Sequence, residues 1–343
     1  MTEVKKQLTD NLAFDKEGFR MSTPLIIAKY KAERLKSKEI ADLGAGIGIQ
    51  ALNFALVSDR VIAVENDARR VEYLKKNAEI MNIRNLDVIE GNAFDPEITD
   101  MVSETETVHS DPSRRKAGER WSFEDLSPNP LDIIRTYKSD NLSFDLPPLF
   151  PRELIPNEWE LEYISLSGEL KRLSAYVGKA KKFGRNALSL PGGERVVENP
   201  NLEREIRKRK IPEDWIYEID GSLYYSGLIP EFLKANPDLS LLHEDRQKTL
   251  VTSNNFVEGH FLTKSYFVND SATNNDDLKR KLSRMKAGKV IIRFSVDPAR
   301  YYEEKRNLEK ELKGEKTVYL FSFESKLFLA ERVEKETSLE KVK

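Results

Sequence analysis

The sequence contains no cysteine and only three histidines in its 343 residues. The lack of cysteine excludes disulfides, thiolate metal sites and catalysis by a cysteine nucleophile. The histidines His109, His243 and His260 have no metal-ligand partners at useful spacing, so we expect no metal site. No run of about 18 apolar residues occurs, which argues against a membrane span and a membrane partner. Because the first residues also lack an apolar signal core, we expect a cytoplasmic protein.

Net charge is also nearly absent, since 56 Lys and Arg residues face 58 Asp and Glu residues. The whole chain therefore has no general electrostatic attraction to nucleic acid. The segment from Leu278 to Lys289 differs, because it carries basic residues and no acid. Such a run is either a solvated helix face or a surface that contacts phosphates. As candidate substrate contacts in this run we take Lys279, Arg280, Lys281, Arg284 and Lys286.

Strand and helix patterns alternate in the first half of the chain. The segments "EIADLG", "RVIAVEND", "LDVIEGNAF" and "TETVHSDPS" are typical of buried strands, and helical apolar spacing separates them. Such alternation predicts an α/β fold with a parallel sheet and helices on both faces. Residues 125–160 are rich in proline and predict a loop around the sheet edge. We then expect strand, turn and helix in "LEYISLSGELKRLSAYVGKA" and a strand in "RNALSLPGGE", about seven strands in all by Pro191.

The second half lacks strict alternation and predicts a second, smaller α+β domain. Its pattern gives a turn rich in glycine and tyrosine, a helix near Leu278 to Lys286, and a strand "KVIIRFSV". A helix from Pro298 to Leu312 and two final strands follow. The charged segment between the halves places the domains at residues 1–200 and 201–343.

The strongest local motif is the glycine-rich turn in "ADLGAGIGIQ", which follows a buried strand and opens a helix. Small residues there allow close approach of a ligand to the backbone. Glu65 stands 23 residues after Asp42, at the end of the next strand, where an acid accepts ribose hydroxyls. A nicotinamide-binding loop also combines a glycine turn with an acid at the next strand end. Its pattern is G-x-G-x-x-G, whereas the pattern here is D-x-G-x-G-x-G. An acid at the first strand end favours a cationic ligand instead.

The sequence "DLGAGIG", followed by "VEND" and "GNAFD", resembles the binding half of class I S-adenosylmethionine-dependent methyltransferases, over roughly Phe19 to Pro191. This resemblance implies a Rossmann-like seven-stranded sheet with one reversed strand and S-adenosylmethionine across the strand ends. By matching position it implies cofactor contacts from Asp42, Gly44, Ala45, Gly46, Gly48, Glu65, Asn66, Asn92, Ala93 and Ser110. Asn92 departs from the acid that the family often has there, although an amide still forms hydrogen bonds.

The same resemblance places the methyl acceptor beside "HSDPSRR" at the end of the fourth strand. It implies catalytic roles for Asp111, Pro112 and Ser113, with Ser113 a departure from the Asp-Pro-Pro pattern. A carboxylate that accepts N–H bonds orients a base nitrogen and stabilises its developing positive charge. Arg114 and Arg115 are candidates for gripping phosphate. The alternative is that Asp111 only caps the turn and that the arginines pair with nearby glutamates.

From about Glu213 to Val333 the chain resembles the THUMP-like domain that follows a methyltransferase domain in one group of prokaryotic proteins. The resemblance depends on "YEIDGSLYYSGLIPEF", "LKRKLSRMKAGKVIIRFSVDPARY" and "GEKTVYLFSFESKLFLAERV". It implies an enzyme that methylates a base nitrogen of structured RNA, either tRNA or rRNA. Two alternatives stay open: a methyltransferase for a protein or small molecule, and a non-catalytic RNA-binding scaffold. The lack of cysteine closes the covalent route to pyrimidine C5.

Overall fold

The computed structural model describes residues 12–114, 121–203, 205–245, 248–297 and 299–334, with the side chains of Met21 and Arg114 excluded. The described chain divides into two compact units, Met1–Glu198 and Asn199–Lys343. Within the described residues, the helices are too short or too polar to span a bilayer.

The first unit alternates strands with short helices around one large sheet. Its helices are α1 Lys16–Met21, α2 Leu25–Arg34, α3 Ile49–Ala55, α4 Ala68–Ile80, α5 Pro96–Val102 and α6 Pro130–Thr136. Its strands are β1 Glu39–Leu43, β2 Arg60–Glu65, β3 Leu86–Glu90, β4 Thr107–Ser110, β5 Ser113–Arg114, β6 Leu126–Ser127, β7 Asn141–Leu146, β8 Glu160–Leu166, β9 Glu169–Gly178, β10 Arg185–Leu190 and β11 Glu194–Val197.

The large sheet has nine strands in the order β11-β10-β8-β9-β7-β4-β1-β2-β3. The strand β1 lies between β2 and β4 and is parallel to both. The strand β9 is reversed, antiparallel to both of its neighbours β7 and β8, and the edge strand β11 is also antiparallel to β10, so two strands are reversed where one was predicted. The predicted class is confirmed, whereas the predicted count of seven is wrong, because β10 and β11 extend the sheet beyond β8.

Two segments differ from the sequence prediction. Residues 169–178 form the strand β9 and not a helix, because residues 167 and 168 turn the chain back on β8 with positive φ angles. The centre of β9 is buried without alternation, and an apolar run of that kind does not distinguish strand from helix. Residues 141–146, within the predicted loop, form the buried strand β7 that pairs with β4.

Apolar side chains cover both faces of the large sheet. One face packs Leu43, Val108 and Phe144 together with residues of the connections after β3 and β4. The other face packs Ile40 and Val61 against the buried helix α3 and the inner side of α4. A parallel sheet buried on both faces leaves the strand ends as the place where polar groups meet.

The second unit is built on a separate seven-stranded sheet in the order β13-β14-β12-β15-β18-β17-β16. Its strands are β12 Trp215–Ile219, β13 Ser240–Glu244, β14 Thr249–Ser253, β15 Leu262–Ala272, β16 Ala287–Ile292, β17 Lys316–Phe323 and β18 Lys326–Val333. Its helices are α7 Gly221–Ser226, α8 Ile229–Ala235, α9 Asn275–Arg284 and α10 Tyr301–Glu309.

Most pairs in the second sheet are antiparallel, whereas β16 and β17 are parallel, so the unit is α+β. The predicted turn rich in glycine and tyrosine is wrong, because Gly221–Ser226 form the helix α7. Asp220 caps this helix with its side chain, and Gly227 ends it in a left-handed conformation. An aspartate before a segment and a glycine after it are ordinary helix boundary signals.

Gly48 and Gly46 form a matched pair for testing how the glycine turn packs. A Cβ at Gly48 would lie 2.0 Å from Cδ1 of the buried Leu74, and its φ of +91° strains any other residue. Gly46 also has a positive φ, but an added Cβ meets nothing within 4 Å. We expect Gly48→Ala to lower the free energy of unfolding by about 3 kcal/mol, and Gly46→Ala by about 1 kcal/mol. Urea denaturation measures both, and equal losses would contradict this packing.

Candidate functional site

A cavity of about 690 Å³ opens at the carboxyl ends of the strands in the large sheet. The strands β1, β2, β3, β4 and β7 end at its border, and β9 and the segment before α2 close one side. This edge is where open α/β sheets bind ligands. The volume lies within the range of pockets for small molecules and cofactors.

The structure brings most of the predicted cofactor and catalytic residues to this cavity. Those that line it are Asp42, Gly44, Ala45, Gly46, Glu65, Asn66, Asn92, Ala93, Asp111, Pro112 and Ser113. Gly48 and Ser110 do not line it. Gly48 faces Leu74, and the Ser110 hydroxyl donates to the Leu43 carbonyl at 2.8 Å, so both hold the surrounding backbone.

Asp42 is buried at the end of β1, with a relative exposure of 1%. Its carboxylate accepts a hydrogen bond from the backbone N–H of Ala51. Its Oδ2 atom has no hydrogen-bond partner among the residues that the structure describes. Burial, followed by the negative charge of Asp111, raises the pKa of Asp42 to about 8. An unpartnered buried carboxylate oxygen on a cavity wall favours a cation or a hydrogen-bond donor on a ligand.

Glu65, at the end of β2, ties the glycine turn to its own strand. Its Oε2 atom accepts from the backbone N–H of Gly46 at 2.7 Å. Its Oε1 atom accepts from the backbone N–H groups of Asn66 and Asp67, each at 3.0 Å. Because a carboxylate has about four acceptor positions, Glu65 keeps the capacity to accept a hydroxyl group of a ligand.

Asn92 and Ala93 form the turn after β3. The Asn92 Oδ1 atom accepts from the backbone N–H of Phe94 at 3.0 Å, so this oxygen stabilises the turn. The group that Asn92 still offers to a ligand is its amide N–H₂, which is a donor. The acid that the family often has here is an acceptor, and the two side chains therefore differ in chemistry. The Ala93 carbonyl accepts from the Tyr137 hydroxyl.

Asp111 does not stand alone, because Arg172 on β9 binds its carboxylate. The Arg172 Nη1 atom lies 2.9 Å from Oδ1 and 3.0 Å from Oδ2 of Asp111. Arg172 Nη2 donates to the Thr23 hydroxyl at 3.0 Å, and Arg172 Nε lies 3.5 Å from Oδ2 of the buried Asp145. The main contact of the Asp111 carboxylate is therefore this ion pair, and not a cap on the turn.

A buried lysine lies behind this pair. Lys31, on α2, is fully buried and binds Asp145 at the end of β7. Ser174 on β9 bonds both partners, at 3.0 Å to the Lys31 Nζ atom and at 2.8 Å to Asp145. Burial, with the positive charge of Arg172 next in size, lowers the pKa of Lys31 well below its usual value. Sequence analysis missed all three residues, since no local motif joins α2, β7 and β9.

Prolyl and indole side chains form part of the cavity wall. Pro112, Pro128 and Pro147 line the cavity together with Trp121. Phe123 does not line the cavity; it is buried in the core and packs on Phe150 and Trp159. Flat prolyl and indole surfaces suit a planar ring.

Other candidate residues lie outside this cavity. Arg115 lies outside the described residues, as does the side chain of Arg114, whose backbone pairs with Leu126. His109 is fully buried, and its Nδ1 atom lies 3.3 Å from the Ser143 hydroxyl, so it packs within the sheet. No cluster of His, Asp or Glu within the described ranges is arranged to hold a metal ion.

The basic run in the second unit is partly neutralised by aspartates. Arg280 lies 2.7 Å from Asp277, and Lys281 lies 2.9 Å from Asp270 and 3.1 Å from Asp277. Arg284 also pairs with Asp270. The remaining predicted contacts in this run, Lys279 and Lys286, are exposed.

Comparisons with known proteins show which fold the chain shares. No protein-family model matches the chain. An uncharacterised S-adenosylmethionine-dependent methyltransferase of Mycobacterium tuberculosis (strain H37Rv) is 22% identical over 245 residues, which are 68% of this chain and 66% of that relative. A probable cobalt-precorrin-6B C(15)-methyltransferase (decarboxylating) of Sulfolobus acidocaldarius is 32% identical over 82 residues, 23% of this chain and 42% of that protein.

A match among the solved structures extends over both units. It is the crystal structure of a candidate methyltransferase from Porphyromonas gingivalis W83, with a TM-score of 0.73 and 17% sequence identity, covering 97% of this chain and 89% of that one. This likeness shows a shared fold. Together with the strand order and the reversed β9, it establishes that the first unit has the class I methyltransferase fold.

The raised pKa of Asp42 predicts how cofactor affinity depends on pH. Below about pH 8 the carboxyl group without ligand holds a proton, and a ligand cation must displace that proton to bind. The affinity for a cationic ligand at Asp42 therefore rises with pH, by at most about tenfold per unit, and levels above pH 8; S-adenosylmethionine, for which the M. tuberculosis relative is named, is the probe. Asp42→Asn binds more weakly and loses this pH dependence. Calorimetric titration from pH 6 to pH 9 measures both effects, with the exposed Asp100→Asn as control. A pH-independent wild-type affinity would contradict the assignment.

Proposed function

We propose that this chain is a methyltransferase that uses S-adenosylmethionine, bound in the cavity at the strand ends. The observation that carries the proposal is the unpartnered, buried Oδ2 atom of Asp42 beside the glycine turn. The cofactor has a cationic ammonium and a cationic sulfonium, and such a ligand matches a buried carboxylate. The M. tuberculosis relative, which is named for the same cofactor, supports the proposal.

The residues present fit this cofactor group by group. Asp42 would hold the methionine ammonium, and the backbone of Gly44 and Gly46 would border the methionine part. The acceptor position that Glu65 has left would hold a ribose hydroxyl. Asn66 would flank the adenine, and Asn92 would donate to one of its ring nitrogens.

Asp111 is proposed to receive the group that becomes methylated. The bound cofactor supplies an electrophilic methyl group, and the protein aligns the acceptor at near-attack distance. The Asp111 carboxylate accepts an N–H bond from that acceptor and stabilises the positive charge that develops on nitrogen. Pro112 fixes the backbone beside it, and Ser113, whose hydroxyl donates to the Ser127 carbonyl at 3.3 Å, holds the short β5–β6 pair.

The acceptor that we propose is a base nitrogen of structured RNA, either tRNA or rRNA. The walls of Pro112, Pro128, Pro147 and Trp121 suit a planar base beside Asp111. In this proposal the second unit is a THUMP-like domain, with its boundary near residue 200, that contacts RNA phosphates. The exposed Lys279 and Lys286 are the leading contacts there, because aspartates neutralise Arg280, Lys281 and Arg284. Arg114 and Arg115 remain candidates for a phosphate near the cavity.

A small-molecule acceptor is the second candidate function. The local match to the S. acidocaldarius protein favours it, because that protein is named for a precorrin substrate. The prolyl and indole surfaces of the cavity accommodate any planar ring and do not by themselves select RNA. Identification of the methylated product distinguishes the two candidates.

The decisive assay incubates the full chain with methyl-labelled S-adenosylmethionine and either total RNA, total protein or a small-molecule extract from a host that lacks this protein. We expect label in RNA, and nuclease digestion of the product identifies the modified atom. Label in the small-molecule fraction alone would overturn the RNA acceptor. Absence of cofactor binding in a prior titration would overturn the enzyme itself and favour a non-catalytic scaffold.

Asp111→Ala separates the catalytic role from a structural one. We expect transfer to fall by at least about 100-fold, because the acceptor nitrogen loses its oriented carboxylate. At pH 9, where Asp42 is ionised with or without the neighbouring charge of Asp111, the dissociation constant for S-adenosylmethionine changes little, since Asp111 contacts the acceptor side. The control Asp132→Ala removes an exposed aspartate that pairs only locally with Arg135. Equal loss of binding and transfer would make Asp111 a structural residue.

Salt dependence tests the RNA surface in the second unit. If Lys279 and Lys286 contact phosphates, tRNA affinity falls steeply between 50 and 200 mM salt, by more than about tenfold. Replacing both with glutamine reduces the slope of log affinity against log salt by about two. Arg280→Gln is the matched control and reduces it less, because Asp277 already pairs with Arg280. Salt-independent binding would contradict RNA as the partner.

A further inference from the structure

Arg172 controls the chemistry that Asp111 performs, and this inference rests on the function proposed above. We propose that Arg172 is a positioning residue, which fixes the Asp111 carboxylate as a stationary acceptor for an N–H group. Asp111 does not then act as a proton-removing base. The methyl acceptor is consequently a neutral nitrogen that bears hydrogen, and not a hydroxyl group.

The Arg172 guanidinium hydrogen-bonds two partners and lies close to the negative charge of a third. Nη1 reaches both oxygens of Asp111, Nη2 donates to the Thr23 hydroxyl, and Nε lies 3.5 Å from Asp145. Because the guanidinium is planar and rigid, these contacts fix its plane as well as its position. The Arg172 side chain is 14% exposed, whereas that of Asp111 is 29% exposed, so the carboxylate is the more open of the two.

The anchors of Arg172 are themselves buried. Asp145 has a side-chain exposure of 1% and is held by Lys31 and Ser174. Thr23 is buried directly before α2, which also carries Lys31. The helix α2 therefore supports the acceptor carboxylate from behind, through β7 and β9.

The contacts of Asp111 suit a hydrogen-bond acceptor that is fixed in orientation. Both of its oxygens accept from Arg172, so the carboxylate cannot turn without losing one of these bonds. Arginine does not lose its own proton, so the positive charge opposite Asp111 is permanent. The free lone pairs of Asp111 still accept an N–H bond, and in this way they aim the nitrogen lone pair at the methyl group.

Whether the methyl acceptor is a nitrogen or an oxygen depends on when the acceptor's own proton has to leave. A neutral nitrogen forms its bond to the methyl carbon as the sulfur–carbon bond breaks, and sulfur keeps the electron pair. The nitrogen then carries a positive charge and releases its N–H proton to water. A hydroxyl group needs its proton removed as the bond forms, and for that step a base is required at Asp111. The pair with Arg172 therefore selects nitrogen over oxygen.

The test compares variants of both partners in the labelled-transfer assay. We expect Asp111→Asn to retain transfer within about tenfold of wild type, because its amide oxygen still accepts an N–H bond. Asp111→Ala loses at least about 100-fold. If Asp111 were the base, Asn would be as inactive as Ala, and that result would overturn the inference. An O-methylated product would overturn it independently.

Arg172→Lys and Arg172→Met test the positioning role. Both should lower kcat by about 100-fold, with the dissociation constant for S-adenosylmethionine changed less than about threefold. Thr23→Val removes only one anchor of the guanidinium and should give an intermediate loss, which keeps the test valid if an Arg172 variant does not fold. The exposed Arg135→Lys is the control. Wild-type kcat in folded Arg172→Lys and in Thr23→Val would overturn the role. Absence of transfer in the wild type would instead refute the proposed function.

Discussion

The burial of one carboxylate at the end of the central strand is the constraint on which the rest of the site depends. Asp42 is enclosed by parallel neighbours on both sides of β1, and one of its oxygens has no partner among the described residues. A buried carboxylate is unfavourable unless it is protonated or paired, and its raised pKa reflects this cost. A cationic ligand removes the cost. Pairing with Asp42 therefore contributes to the binding free energy of the cofactor that we propose.

The acceptor side of the cavity follows the opposite principle. Asp111 already has a partner in Arg172, and Asp145 with Lys31 supports that partner. Asp42 has an unpartnered oxygen that can bind a cation, and Asp111 is held in place by Arg172 to direct a hydrogen bond. The two lie at the ends of neighbouring parallel strands, β1 and β4, and in the proposed function this brings the methyl donor and its acceptor together.

The sequence predicted which residues at the ends of β1 and β2 meet at the cavity, because these signals are local. The glycine turn and the acid at Glu65 follow directly from two short buried strands. It did not predict Arg172, because the strand β9 carries an apolar run that helices share, and its partners come from distant segments. The basic run of the second unit was interpreted from a window starting at Leu278, which excluded the acids Asp270 and Asp277 that pair with it. Asp277 stands directly before that window and pairs at i, i+3 and i, i+4, so a wider window predicts this neutralisation.

The most direct test of the central claim is a crystal structure of the chain with S-adenosylmethionine bound. The account predicts the methionine ammonium within hydrogen-bond distance of the Asp42 Oδ2 atom, with a ribose hydroxyl on Glu65. It also predicts that the methyl group points to the side of the cavity where Asp111 and Arg172 meet. A cofactor bound elsewhere, or one that leaves the Asp42 Oδ2 atom without a partner, would contradict the account.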